Sequence, residues 1–455
     1  MPSALKRHKD LNWYKKNVNL AEFILYISDL FLIDKKSTLS QPRFFIPLRD
    51  QEGNMLFKKN GHVEKQTILV LSISKIDGNY LYWDVTNGGF EKGQTKTIID
   101  FVQDFVLSLN SFDYLAIVNV IEQYINSKRF ISPEVSCFKL EPFKTPEEKI
   151  LQIDKSNLTP YLDQTYLINR GFKETVINSP IFYPTIKNYK AANVIQQEIN
   201  GTTQTKTIWN KYTAFLLINQ TGLVGLNCKK QLNKDETFKK IEGNKSNSLY
   251  LSAVLENQTT FGQLVVTESA EDCMAHYQLH GQNQNKSIRY AATSGQVTTL
   301  QCDLLSQLYD KYNIEEFVLA MDNDTTGAFY NAKILSLLEL STLQNNGLNI
   351  DVQKSNKGSN FSIVIDKRLT KLDTNDILKT IDHFNPIDGK QIFQVKLIQQ
   401  STQITIINCD FFTTKTNWNL VFKIIHKLNY NDTDRIKTMA SISSDFTQDI
   451  KTNTL

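Results

Sequence analysis

The 455-residue sequence predicts an α/β protein built on a parallel sheet, with smaller α+β units before and after it. Three observations predict this. Leu264-Val265-Val266-Thr267 and Phe317-Val318-Leu319-Ala320-Met321 are short, continuous apolar runs of the kind that form buried strands. Each run ends on acid, Glu268 in the first case and Asp322-Asn323-Asp324 in the second, and each then enters a helical pattern. Between them, Ile288-Arg289-Tyr290-Ala291-Ala292 supplies a third strand, and Thr298-Thr299 opens a helix towards Tyr312.

From the amino terminus, Asn19-Leu20-Ala21-Glu22 has the form of a capping box, and Leu20, Phe23, Ile24 and Ile27 give the following helix an apolar face. Short strands are expected at residues 43–48, 55–57, 67–73 and 80–84, parted by turn signals at 50–54 and 77–79. Lys92-Gly93 and then Ile99-Asp100-Phe101-Val102 close this unit with a helix running towards Leu107. Thr145-Pro146-Glu147-Glu148 reads as a linker. Beyond it, a short helix stops at Gly171, and residues 214–230 form a hairpin turning at 219–222. In the central region Ser269 is the expected N-cap with Asp272 three positions on, and Ala270, Cys273, Met274 and Tyr277 follow at helical spacing. Thr325-Thr326-Gly327 leads into a second helix through Ala328, Ala332 and Leu335. His276 and His280, near Gly281, are expected to end the first helix and not to bind metal. Leu348 to Val352 is expected to add a further strand, and residues 357–360 a loop. After Leu378, strands at 392–398 and 404–412 and a helix at 418–428 are expected, and 445–455 should fray.

Composition narrows the class. With 41% hydrophobic and 22% charged residues, the chain is an ordinary globular protein with room for two or three domains. A net charge of +4 neither requires nor excludes nucleic acid. Five scattered cysteines with no Cys-x-x-Cys pair indicate neither a disulfide framework nor a cysteine zinc site. No apolar run is long enough to span a membrane and no signal-peptide core follows Met1, so a cytoplasmic location with no membrane partner is expected. No Gly-x-x-x-x-Gly-Lys-Ser/Thr loop occurs.

The acids carry the chemistry. Alternate residues leaving a strand point two carboxylates the same way, and hard divalent ions take such oxygen ligands. Ligands of open α/β sheets collect at strand carboxyl ends. Alone, a strand Glu or an Asp-x-Asp is as well explained by turn and cap chemistry. Taken together, Glu268-Ser269-x-x-Asp272, Ala292-x-x-Gly295 and Asp322-x-Asp324-x-x-Gly327 resemble the Toprim domain of primases, topoisomerases and small nucleases, with Thr326 standing where that family has a small residue. Lys371-Leu372-Asp373-Thr374-Asn375-Asp376-Ile377-Leu378 is similar to a segment following that domain in primase-like proteins, with one residue too many before Asn375. The helix, small sheet and Lys92-Gly93 with Ile99-Asp100-Phe101-Val102 are similar to the amino-terminal zinc domain of bacterial-type primases, but no cysteine precedes Cys137, and His8 and His62 alone cannot complete a zinc site.

The resemblance implies a Rossmann-like parallel sheet over residues 259–380, a zinc-less module over 1–135, an α+β segment over 146–258 and a small α+β extension over 381–455. It further implies that Asp322 and Asp324 hold Mg2+ (or Mn2+), that Glu268 moves a proton or completes the coordination, and that Asp373 or Asp376 contributes. Lys229, Lys230, Lys239, Lys240 and Lys245, interleaved with Phe238 and Tyr250, are expected either to meet nucleic-acid phosphates or to be a solvated hairpin face. The implied activity is primase-like nucleotidyl transfer on DNA from nucleotides in replication or mobilization of a plasmid or mobile element, with that element's other proteins as partners. A nuclease in element processing or defence, and a non-catalytic nucleic-acid-binding module, stay open as alternatives.

Overall fold

The computed structural model describes the chain apart from residues 1–8, 28, 59–62, 86–94, 110, 143–154, 200–201, 234–235, 285, 341–347, 356–357, 371, 386–390, 401–403, 431–434, 442–444 and 454–455. His8, His62, Lys92-Gly93, Thr145-Pro146-Glu147-Glu148 and Lys371 therefore lie outside the described residues. Among the described residues, no helix is long and apolar enough to cross a membrane. The chain divides into two compact units, Met1–Thr145 with Leu343–Phe411, and Pro146–Thr342 with Phe412–Leu455.

In the first unit, strands Leu32–Ile33, Arg43–Pro47, Lys65–Ile73, Tyr80–Asp84 and Lys96–Thr97 form an antiparallel sheet in sequence order. The expected capping-box region does form a helix, Leu20–Ile27, whose Phe23 meets Phe101 and Tyr124 edge to face in the core. A second antiparallel sheet runs Asn349–Ser355, Gly358–Asp366, Ile404–Phe411, Gln394–Gln400. Val364, Ile404 and Ile406 share the core of the amino-terminal elements. Asn349 ties the two stretches by donating to the carbonyls of Asp34, Lys35 and Ser37 at 2.7 to 2.9 Å. Residues 358–360, expected in a loop, begin a strand instead.

The second unit holds the parallel strands. Gln263–Thr267 lies between Ile288–Ala292 and Glu316–Leu319, parallel to both, and Ile436–Thr438 adds a fourth parallel strand beyond Glu316–Leu319. Leu264, Val265, Val266, Tyr290, Ala291, Phe317 and Leu319 are all fully buried, as expected of a sheet covered on both faces. Strand order runs outward from Gln263–Thr267 in both directions, and right-handed crossovers then send the connecting helices Ala270–Leu279 and Thr299–Lys311 to opposite faces. Beyond Ile288–Ala292 the sheet continues antiparallel through Leu249–Leu251, Thr202–Asn219, Gly222–Gln231 and Thr237–Gly243.

Two expectations are corrected here. The strand expected at 348–352 forms as Asn349–Ser355, but it pairs along its whole length with Gly358–Asp366 in the first unit. The free edge of Glu316–Leu319 is taken by Ile436–Thr438, with Phe317 N donating to Arg435 O at 2.7 Å and Met439 N to Leu319 O at 2.9 Å. The stretch 381–455 is thus shared out, its first two strands going to the first unit and the helix Lys415–Tyr430 and everything after it to the second. The second correction concerns the expected frayed tail, which contains the helix Phe446–Asn453. Phe446 and Ile450 are buried against Cys273 and Met274, and the Phe446 ring meets His276 at 5.5 Å. Short apolar spacing at i and i+4 is enough to dock a two-turn helix when a ready-made apolar groove receives it. Truncating Phe446 to Ala should lower the stability of the second unit by about 3 kcal/mol in urea unfolding. A loss below about 0.5 kcal/mol would mean that this helix does not contribute to the core.

Candidate metal and nucleic-acid site

Glu268 leaves the central strand at the point where strand order reverses, the position at which open α/β sheets bind ligands. Ser269 caps the helix behind it in a full capping box, its hydroxyl accepting from Asp272 N while Asp272 Oδ2 accepts from Ser269 N at 3.1 Å and from its hydroxyl at 2.6 Å. Gly295, at φ +81°, turns the chain after the neighbouring strand and donates its N–H to Glu268 O at 3.0 Å. A methyl group on Gly295 would lie 3.7 Å from Glu268 Oε1 and 3.8 Å from Lys245 Nζ, so those two side chains flank this turn.

The Asp322-Asn323-Asp324 turn is held from three sides. Asp324 caps the helix Thr325–Leu337, its Oδ1 accepting from Thr326 N and Gly327 N at 2.7 Å each. The capping explanation of this residue is therefore realised, through one oxygen only. Gly327 is required because a side chain there would collide with the Asp322 carbonyl. Asn323 faces the carboxyl-terminal segment, donating to Ser441 O at 2.9 Å and accepting from Lys415. Asp322 is left with Oδ1 buried and without a hydrogen-bond partner.

Glu268, Asp272 and Asp322 line one open crevice together with Asp445, Arg170, Lys229 and Lys239. Their carboxyls titrate as crowded, half-dry acids. Burial and then the charges of Glu268, Asp445 and Asp324 push Asp322 up to about 7, against the pull of Lys239. Burial, Asp322 and the neighbouring acids push Asp272 up to about 8 despite its bond from Ser269. Glu268 is raised by burial, Asp272 and Asp324, with Lys239 and Lys245 opposing. Asp324 does not line the crevice, although its charge reaches both Glu268 and Asp322. Asp373 and Asp376 belong to the first unit, where Asp373 caps the helix Thr374–His383 and Asp376 faces Lys379 at 4.0 Å.

The five lysines do not make one patch. Lys229 and Lys239 are register partners on adjacent antiparallel strands, so their side chains share a face, and that face lines the crevice. Strand alternation turns Lys230 and Lys240 to the other face, where Lys230 bonds Asn210 at 2.8 Å and Lys240 pairs with Glu242 at 2.6 Å. Lys229 is itself buried and paired at 3.2 Å with Glu271, which also accepts from Tyr166 at 3.0 Å. Burial raises the Glu271 carboxyl, but Lys229, Arg170 and the Tyr166 bond outweigh it and hold it low. Glu271 and Asp445 carry no mark in the sequence that separates them from surface charge, except that Asp445 precedes Phe446 and Ile450 as a cap precedes an apolar stripe.

These residues fit a hard divalent ion by donor chemistry, through carboxylate oxygens that crowd one another and one buried oxygen with no partner. Among the described residues, no three His, Cys, Asp or Glu side chains stand close enough to cage an ion. Magnesium ordinarily takes one or two carboxylates and keeps its waters, and the crevice suits that mode.

Because folding raises the proton affinity of Asp322 and Asp272, their contribution is fully present below the ordinary carboxylate value of 3.8 and is lost as pH rises through about 7 to 8. In EDTA, the unfolding midpoint of the second unit should therefore fall as pH is raised from 5 to 8, and magnesium should restore it at pH 8 far more than at pH 5. A flat EDTA profile would contradict the crowding. Gly327→Ala should lower the midpoint and blunt the magnesium response together, since it displaces Asp322; an unchanged magnesium response would show that the close approach is not needed.

A family model described as Toprim-like matches residues 265–360, and no curated protein matches the chain. The matched span contains Glu268, Asp272, Asp322, Asp324 and Gly327, excludes Arg170, Lys229, Lys239 and Asp445, and ends within the first unit. The chain thus carries a Toprim-like domain at residues 265–360, a kind of domain associated in general with magnesium-dependent nucleic-acid processing.

Proposed function

We propose that the chain is a magnesium-dependent nucleotidyl-transfer enzyme acting on DNA, primase-like in type and serving replication or mobilization of a plasmid or mobile element from the cytoplasm. The observation that carries this reading is the meeting of Glu268 and Asp322 with Lys239 in one crevice at the carboxyl ends of the parallel strands. Bound magnesium would neutralise and orient phosphate oxygens. Asp322 and Asp324 would hold it, and Glu268, whose carboxyl is raised, would take or return the proton of the attacking hydroxyl. Lys239, Lys245 and Arg170 meet the remaining phosphate oxygens. Asp373 and Asp376 serve this scheme as the start of the helix Thr374–His383. Residues 1–135 act in it as a zinc-less primase-type module, with 146–258 leading into the catalytic region.

Acids of this kind make and break phosphodiesters alike, so the assay must separate the two. Labelled single-stranded DNA is incubated with the full chain in magnesium or EDTA, with and without nucleotides. Products lengthened only when nucleotides are present support transfer; products shortened without them reassign the chain as a nuclease. Retention of DNA with neither change would leave a binding module and sink the enzymatic reading. Asp322→Asn should cut metal-stimulated turnover by about 100-fold or more while keeping the wild-type unfolding midpoint in magnesium-free buffer or raising it. Wild-type turnover in that variant overturns the site.

A further inference from the structure

The carboxyl-terminal segment reaches the acidic crevice from outside the Toprim-like span. Asp445 and Thr447 both line it. Asp445 is fixed as the start of the helix Phe446–Asn453, with Oδ1 accepting from Gln448 N at 2.8 Å and from the Thr447 hydroxyl at 2.5 Å. Arg170 on the crevice wall donates to that same hydroxyl at 3.1 Å. Phe446 anchors the next position in the core, and Ser441, a few residues back, accepts from Asn323 in the centre of the Asp322-Asn323-Asp324 turn. The segment is therefore bonded both to the turn that carries Asp322 and to the wall that carries Arg170.

Asp445 is built like Asp324. Each spends Oδ1 on capping a helix that begins at the crevice, and for each no hydrogen bond or ion pair involves Oδ2 among the described residues. The buried, unpartnered Oδ1 of Asp322 lines the same space. We propose, on the metal-dependent reading above, that Asp445 is a further acid of this site, sharing with Asp322 the magnesium ion through its bound water. Asp445, Asp322 and Asp272 line the same crevice, so the three carboxyls share one space. Magnesium's preference for few carboxylates and retained water makes such a shared, partly water-mediated arrangement sufficient.

The test is calorimetric titration of the full chain with magnesium alone, without DNA or nucleotide. Asn caps a helix as well as Asp does, so Asp445→Asn keeps the fold while removing the charge. It should weaken magnesium binding at least about 10-fold, with Asp445→Glu recovering part of the loss. Asp445→Asn with wild-type magnesium affinity overturns the proposal. Should Asp445→Asn lower the unfolding midpoint in EDTA, Asp445→Ser, which also caps, is titrated instead and judged by the same two outcomes. Asp322→Asn run in parallel separates the readings: unchanged magnesium affinity there removes the metal site itself, whereas loss there with no effect at Asp445 removes only the role of Asp445.

Discussion

The structure turns on a repulsion. Glu268, Asp272, Asp322 and Asp445 are gathered from three separated stretches of chain into one partly dry crevice, where burial and like charges raise the proton affinity of Glu268, Asp272 and Asp322. The fold spends stability to keep them together, and the devices that hold them are local and cheap. Asp445 caps a helix, as Asp324 beside Asp322 does, Asp272 closes a capping box, and backbone N–H groups at those helix starts offset part of the negative charge. The lysines and the arginine complete the balance. Lys239 faces the acids directly, while Lys229 is committed to Glu271 and stiffens the wall behind them.

The same geometry explains why a cap and a ligand are not rival descriptions here. A helix that begins at a strand's carboxyl end needs an oxygen acceptor at its first turn, and Asp offers two oxygens. Asp324 gives one to Thr326 N and Gly327 N, leaving the other uncommitted. Gly327 then has to lack a side chain, because the helix start lies against the Asp322 backbone. The spacing of Asp322, Asp324 and Gly327 thus follows from packing as much as from chemistry.

Much of the central sheet was legible because its strands are uninterrupted apolar runs ending in acid, and their neighbours lie close in sequence. Gln263–Thr267, Ile288–Ala292 and the helix Ala270–Leu279 all formed near their expected bounds. The fourth parallel strand was not legible, since Ile436-Lys437-Thr438 is three residues long and carries no pattern of its own. Its place is set by an open strand edge contributed by residues far upstream. Asn349–Ser355 was expected as a further strand, and it pairs with the next strand in sequence, since a hairpin costs less chain entropy to close. The lysine cluster was legible only in part for a related reason: closeness in sequence along a strand hides the two-residue period that sends alternate side chains to opposite faces.

That late strand also bears on how the second unit folds. Joining Phe317 to Ile436 in parallel register closes a loop that contains the whole of Leu343–Phe411, a stretch belonging to the other unit. Contacts of such sequence separation are paid for in chain entropy before they return any packing energy, and domains rich in them fold slowly. The sheet edge at Glu316–Leu319 therefore stands bare until the far end of the chain arrives, an interval in which the apolar run Phe317-Val318-Leu319 invites association with other chains.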